Sequence, residues 1–496
     1  MTMMANNIIK SHSEISQRLE DIFNSEDSTL SVSKLQKDGG LKIVGLQSTP
    51  WVNNAASETN RIQSLEEYLS DIRVKNEVEN LKISLKKLQQ PDGGWCWFEG
   101  FKSSPFITLD VINVLSYLSE AGLWDEELKS MALKAVNYYD KYLVDLRKRN
   151  LHISLDTRMM YLYSRGLITG SWNSEIKNIK QETLKEIVNN WQYGNLASKS
   201  VEALIMLREK EYKKDAEMII QSVSEFLGKQ HPLFELAWAL ILFNQVDPEG
   251  DTAARLRELI YLQKETQDWG SNPYTAGIIH ALIKSTPDKV YHRTVPDIYI
   301  EGDLLKIPEN QNLIGDFTID LEGRDLSGKS IIIKRDSGIP AWGGVISQFI
   351  TPINEIKAKY VDNLKIEKQI YVLDVEGKSK KTTELKKGDK VQVVLNVYCG
   401  KDMNYVALMD QRAACLQPAE QLSGLTFIDG ALAYREVRTN STSFFIENLK
   451  AGNYVISYDC YVERDGDYAS SIATVQSLYS PSQVAHSTGK EIKVKP

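Results

Sequence analysis

The stretch LQQPDGGWCWFEGFKSSPFIT, residues 88–108, decides how this chain is read. A long helical pattern runs into it and another amphipathic helix leaves it. Pro91 followed by Gly93 and Gly94 ends a helix and lets the chain reverse. Ser104 is placed to cap the next helix, and Pro105 suits its first turn. Trp95, Trp97 and Phe98 are expected to be buried, because that much ring surface is worth several kcal/mol at roughly 25 cal/mol per Å². The stretch reads as a tight interhelical loop whose rings plug the end of a helical assembly.

Upstream, residues 58–88 read as one long helix. Ile62, Leu65, Leu69 and Ile72 make one stripe, and Val78, Leu81, Leu85 and Leu88 continue it. Residues 5–23 form a further helix through Ile8, Ile15, Leu19 and Phe23. Residues 24–57 show little periodicity, and Pro50-Trp51 is expected to pin them to the body. Downstream, helical patterns cover roughly 105–121, 126–147, 154–165, 173–192, 196–209, 213–228, 232–245, 250–263 and 273–285. About eleven helices on short connections must close into a bundle, a solenoid or a toroid. An internal echo favours the toroid. Gln89 to Trp95 is answered by Gln263 to Trp269, with Ile168 to Trp172 as a poorer copy.

Near residue 288 the period changes. Runs at 297–301, 317–321 and 330–335 alternate like strands, but 290–358 is short for a sandwich of its own. Residues 390–399 put Val391, Val393, Leu395 and Val397 on one face. Residues 453–464 do the same with Tyr454, Ile456, Tyr458, Cys460 and Val462. Seven or eight strands over ~130 residues is the size of an immunoglobulin-like sandwich. The order is all-α followed by all-β.

Composition narrows the function classes. The 496 residues imply about two to four domains, and 42% apolar with 25% charged residues is ordinary for a globular protein. A net charge of −7 offers no basic face for nucleic acid. No apolar run is long enough to span a membrane, and the first residues lack the features of a signal peptide. Cys96, Cys399, Cys415 and Cys460 are too scattered for a disulfide framework or a zinc site, and read as small buried hydrophobes. A disulfide among the last three stays open.

Catalytic signatures are sparse. The sequence holds no G-x-S-x-G and neither DxDD nor DDxxD. His12, His152, His231, His280, His292 and His486 stand singly, without metal-ligand spacing. Toroids can host glycosidases, lyases and cyclases, so Asp110, Asp156, Glu235 and Asp268 are candidates for paired carboxylates, but caps and dipole partners are the simpler reading. Trp95, Trp97 and Phe98 can stack on a sugar, although core packing is simpler. Residues 378–390 read as a solvated hairpin. No catalytic, cofactor-binding or metal residue is assigned, and no cofactor is expected.

Residues 88–108, with Thr49-Pro50-Trp51-Val52 and Glu58-Thr59 before them, resemble the thioester-type α/α toroid of the bacterial alpha-2-macroglobulin family. LDTRMMYLYSR at 155–165 and LAWALILF at 236–243 look like later helices of that domain. Ala341-Trp342-Gly343-Gly344-Val345 with Gln348-Phe349 is similar to the strand closing its CUB-like host domain. The run from Lys387-Gly388-Asp389 through Met403-Asn404-Tyr405, DQRAACLQP at 410–418, Phe444-Phe445, Gly452-Asn453-Tyr454 and Tyr479-Ser480-Pro481 resembles the last macroglobulin domain. The resemblance implies an α/α toroid of about six helical hairpins over 1–288, the second half of the host domain over 289–359, and a macroglobulin β-sandwich over 360–496.

It also implies a non-enzymatic role. Members are large envelope or secreted proteins that trap proteases, so endopeptidase inhibition and a periplasmic, cell-envelope or secreted location follow from the family. The thioester of many members needs Cys-x-x-Gln, and this chain departs from that. Cys96 leads to Glu99, Cys399 to Asp402, Cys415 to Pro418 and Cys460 to Glu463. The resemblance places Met1 inside a toroid helix, so a truncated product or one half of a split protein is expected. The implied partners are proteases, met through the parent protein, and an upstream macroglobulin chain completing 289–359. Two other readings stand beside this one: a toroid lyase or glycosidase, and a non-catalytic glycan-binding surface module.

Overall fold

The computed structural model describes residues 2–11, 13–24, 71–227, 231–266, 272–285, 296–307, 328–335, 351–373, 379–381, 384–478 and 483–496, with short stretches between these runs. Its helices are α1 (Thr2–Ser11), α2 (Ser13–Phe23), α3 (Asp71–Leu88), α4 (Pro105–Glu120), α5 (Glu126–Lys148), α6 (Leu155–Ile168), α7 (Ser174–Asn190), α8 (Leu196–Met206), α9 (Lys213–Phe226), α10 (Leu233–Val246), α11 (Asp251–Thr266) and α12 (Asn272–Ser285). The expected helix at 5–23 is thus two helices.

Local chemistry sets many of these starts. Ser104, Asp125, Ser154, Asn173 and Asn195 each accept a hydrogen bond from the backbone N–H three residues on. Each such cap is worth about 1 kcal/mol. On α5, Glu126 and Glu127 sit in the first turn and Arg147 and Lys148 in the last, each sign at the end of the helix dipole that favours it.

Five helices make a closed inner ring. α4 packs on α6, α6 on α8, α8 on α10, α10 on α12, and α12 returns to α4. They run parallel, because like ends meet. Asp156 bonds Ser198 near the starts of α6 and α8, and Phe234 stacks on Tyr274 near the starts of α10 and α12. Ser119 bonds the carbonyl of Leu167 at the ends of α4 and α6. α5, α7, α9 and α11 lie outside. α9 buries one face through Ala216, Ile219 and Val223, whereas α10 is buried at nearly every position. That contrast is what a ring of helices requires, and the helical part is an α/α toroid.

Two expectations about the helical part change, and a third lies outside the described residues. Leu81 and Ile72 of α3 are exposed, whereas Val78, Leu85 and Leu88 are half-buried on a stripe that also buries Val74 and Lys82. Lys82 enters it by pairing with Asp125 at 2.6 Å and with Glu79, so its stem packs while its charge is answered. The turn at Trp172 leads from inner α6 to outer α7, so it is no copy of the turns at Trp95 and Trp269, which lead into inner helices. The segments 25–59 and most of 60–70 lie outside the described residues, as do Pro50-Trp51 and much of the 58–88 pattern.

The strands begin with β1 (Asp297–Ile300), β2 (Asp303–Leu304) and β3 (Ile331–Lys334), which form one antiparallel sheet in the order β2-β1-β3. The run at 317–321 has no strand among its described positions.

The remaining strands are β4 (Leu364–Leu373), β5 (Ser379–Lys381), β6 (Glu384–Lys386), β7 (Lys390–Cys399), β8 (Met403–Gln411), β9 (Leu416–Pro418), β10 (Gly424–Ile428), β11 (Ala431–Val437), β12 (Ser441–Leu449), β13 (Gly452–Val462), β14 (Gly466–Ser470), β15 (Ala473–Ser477), β16 (Val484–His486) and β17 (Lys490–Lys495). They form a six-stranded sheet, β10-β11-β12-β8-β15-β16, and a five-stranded sheet, β5-β4-β7-β13-β9. Val391, Val393, Leu395 and Val397 of β7 and the matching residues of β13 face the shared core, as their alternation requires. Among the described residues the expected hairpin at 378–390 does not form. β5 pairs with β4, whereas β6 pairs in parallel with β17 and buries Leu385. Lys and Glu alternation marked a solvated strand without naming its neighbour.

Candidate functional site

The loop at 88–108 is built as a clasp. Gln90 N donates to the carbonyl of Gly94 at 2.8 Å, and Gly93 N to the carbonyl of Gln90 at 2.9 Å. Gly93 has φ 95°, and a Cβ there would run into the backbone carbonyl of Lys134 on α5, so only glycine fits. Asp92 Oδ1 accepts from Gly94 N at 3.0 Å and from Ser103 Oγ at 2.6 Å. Trp95 N donates to Thr108 Oγ1 at 2.8 Å, and its indole N–H donates to the carbonyl of Leu85 at 2.9 Å. Trp95 is 1% exposed and staples the end of α3 to the first turn of α4.

The other rings point the opposite way. Trp97 is 57% exposed and Phe98 65%, and Phe101 and Phe106 are exposed as well. The expectation that Trp95, Trp97 and Phe98 are all inside is therefore corrected to Trp95 alone. Trp97 stacks on Phe106 at 6.2 Å, and Phe98 meets Phe101 edge-on at 5.7 Å, so the rings shield one another at the surface. Ring area predicted burial, but backbone direction after Cys96 decided it.

This face is the end of the ring where the inner helices start, and it carries three of the four candidate acids. Asp110 is half-buried, and burial pushes its carboxyl up. Asp156 accepts from Ser198 Oγ at 3.0 Å. Glu235 is buried 3.2 Å from His231 Nδ1, while His231 Nε2 lies 2.8 Å from the carbonyl of Phe226. No hydrogen bond or ion pair joins any two of these acids; Asp268 lies outside the described residues. Among the described residues no group of three His, Cys, Asp or Glu gathers to hold a metal.

The titratable group that the sequence reading missed is Glu202. It is 2% exposed on α8, and its Oε2 has no hydrogen-bond partner. Burial, helped by the charge of Asp156 and opposed by Lys199, raises its carboxyl from 4.5 to about 7. Its only signal in the sequence is a glutamate inside the apolar run VEALIM of an inner helix. Because the folded value lies above the unfolded one, the protonated form favours folding. That contribution is present below the unfolded value and is lost as pH rises through the folded one. Glu202→Gln is therefore expected to raise the unfolding temperature at about pH 8, by the equivalent of about 1–3 kcal/mol, and to leave it unchanged near pH 4. A pH-independent difference would refute this.

The axis of the ring is filled. Tyr117 of α4 lies 6.5 Å from Trp238 of α10, and Tyr163 of α6 meets Trp238 edge-on at 5.2 Å. Neither pair of helices is adjacent in the ring, so these contacts cross its centre. His280 of α12 stacks on Tyr117 at 4.6 Å. Its Nε2 donates to Glu120 at the end of α4 at 2.9 Å, and Lys284 pairs with the same carboxylate. Burial pushes the Glu120 carboxyl up, but these two partners outweigh it and hold it down to about 2, which ties the α12–α4 seam.

All four cysteines are buried and free, so the disulfide left open among Cys399, Cys415 and Cys460 is not formed. Burial pushes the Cys399 thiol up to about 11 and that of Cys460 up to about 12, and raises Cys415 as well. Thiols held so high are poor nucleophiles. No helix among the described residues is long and apolar enough to cross a membrane.

Residues 364–482 match the family model described as the bacterial alpha-2-macroglobulin MG10 domain. No curated protein matches the chain. Among solved structures, trypsin-activated alpha-2-macroglobulin of Escherichia coli is 15% identical with a TM-score of 0.42, over 88% of this chain and 31% of that one. Salmonella alpha-2-macroglobulin reacted with methylamine is 14% identical with a TM-score of 0.31, over 97% of this chain and 31% of that one. The native E. coli protein from domain MG7 to the C-terminus is 15% identical with a TM-score of 0.33, over 97% of this chain and 75% of that one. The chain thus spans about a third of the first of these relatives. What the comparisons show of this chain is therefore a domain of the bacterial alpha-2-macroglobulin MG10 type at residues 364–482.

Proposed function

We propose that this chain is a non-enzymatic part of a protease trap, supplying the helical ring and the terminal β-sandwich of an alpha-2-macroglobulin-like assembly. The observation that carries the reading is the MG10 match at residues 364–482, downstream of a closed helical toroid. In this reading the boundaries are 1–288 for the toroid, 289–359 for part of a host β domain and 360–496 for the last macroglobulin domain. The chain works without a thioester of its own, because no cysteine is followed by glutamine at the third position and all four are buried thiols. The E. coli relatives were captured after activation by trypsin and by porcine elastase, which suggests serine proteases as the targets.

The test combines this chain with the product of the coding sequence immediately upstream. The mixture is expected to slow trypsin on a large protein substrate while sparing a small peptide substrate, since a caged protease still admits small molecules. Unchanged rates on both substrates would sink the trap reading. The exposed stack of Trp97 on Phe106 favours one second reading, a glycan-binding face. Retention of the chain by a polysaccharide column, abolished by Trp97→Ala, would select it.

A further inference from the structure

The β-sandwich holds two charged residues at positions that its alternation reserves for apolar ones. On β4, Leu364, Ile366 and Lys368 face inward, and on β8, Val406, Leu408 and Asp410 do the same. Lys368 is 7% exposed and Asp410 0%. The two strands belong to different sheets, so the side chains meet across the core.

The surroundings of this pair are specific. Lys368 Nζ lies 2.6 Å from Asp410 Oδ1, yet Oδ1 has no aligned hydrogen-bond partner. The same Nζ donates to the carbonyls of Gln411 at 2.7 Å and Ser471 at 3.2 Å. The other carboxyl oxygen, Oδ2, accepts from the hydroxyl of Tyr458 on β13. Arg412 is buried nearby; its Nη1 donates to Thr442 Oγ1 and its Nη2 to the carbonyl of Arg438, while its Nε has no hydrogen-bond partner. The amine is therefore the group that the structure sets against Oδ1.

We propose that Lys368 and Asp410 condense into an intramolecular amide that joins the two sheets of the sandwich covalently. Taking both charges out of water costs several kcal/mol per ion, which favours passing the proton from Nζ to Oδ1. Burial already pushes the Asp410 carboxyl up, towards its neutral form. The neutral amine keeps its two hydrogens on the carbonyls of Gln411 and Ser471, which leaves its lone pair for the carboxyl carbon. As the nitrogen–carbon bond forms, negative charge develops on Oδ2, where the Tyr458 hydroxyl donates and the Arg412 charge stands near. The intermediate then loses Oδ1 as water, carrying the acid proton and one proton from nitrogen. One C–N bond replaces one C–O bond, one water leaves, and nothing is oxidised or reduced. The link would restrict the unfolded chain as a disulfide does, without needing an oxidising compartment.

Intact-mass spectrometry of the full, denatured chain tests this directly. The expected mass is that of the sequence less one water, with a branched peptide joining the Lys368 and Asp410 segments after digestion. Lys368→Ala and Asp410→Ala should each restore the unmodified mass. Asp410→Asn should close by losing ammonia and give the wild-type product, and Tyr458→Phe should slow closure. A folded wild-type chain at its full sequence mass would mean that the pair is an ion pair only, and would overturn the proposal whatever the variants do.

Discussion

Asp140→Ala is expected to destabilise the helical unit by about 3–5 kcal/mol, the usual cost of stranding one member of a buried ion pair. Asp140 lies on α5, and its carboxylate takes two parallel hydrogen bonds from Arg165 of α6, at 3.0 Å from Nε and 3.0 Å from Nη2. The Tyr161 hydroxyl donates to the same carboxylate at 2.5 Å. The guanidinium also lies 4.2 Å from the centre of the Trp172 ring, so both partners are held within a closed environment. Removing Asp140 leaves Arg165 charged, buried and short of its only anion in this network. Removing Arg165 as well, as in Asp140→Ala with Arg165→Met, should recover much of the loss, because no charge is then left behind. Denaturant unfolding followed by the helical circular dichroism signal reads both values. A single-variant loss under about 1 kcal/mol would place this pair with ordinary surface bridges.

Trp238→Ala should cost the toroid a comparable amount, about 3–5 kcal/mol, by opening a cavity where the ring axis is now filled. Trp238 touches both Tyr117 and Tyr163 across the centre, so helices that are not neighbours lose their shared contact. Trp97→Ala is the matched control. Its ring is mostly exposed, and away from a packed site such a change is expected within about 0.5 kcal/mol of zero. Equal effects at the two tryptophans would contradict the filled axis. The contrast separates two residues that look alike in the sequence.

Local periodicity made much of the architecture legible. The expected helices from 105 to 285 fall within a few residues of α4 to α12, because capping residues and apolar spacing act over a single turn. The inward faces of β7 and β13 were equally plain, since alternation reports which side of a strand is dry. The motifs of the C-terminal region were legible as well, and the MG10 match covers residues 364–482.

What only the tertiary structure decided concerns partners far apart in the chain. Composition put Trp95, Trp97 and Phe98 inside together, but the clasp from Asp92 to Thr108 turns only Trp95 inward. Lys82 and Glu202 are buried against their residue type, one because Asp125 and Glu79 answer its charge, the other at the cost of a raised carboxyl. The partner of β6 is β17, more than a hundred residues away, and no local pattern names it. The pairing of Lys368 with Asp410 is of the same kind. By itself the sequence determined which residues form helices and strands, which faces are apolar, and the MG10-type character of residues 364–482. The fold decided which buried charge meets which, because that depends on contacts between segments that share no local signal.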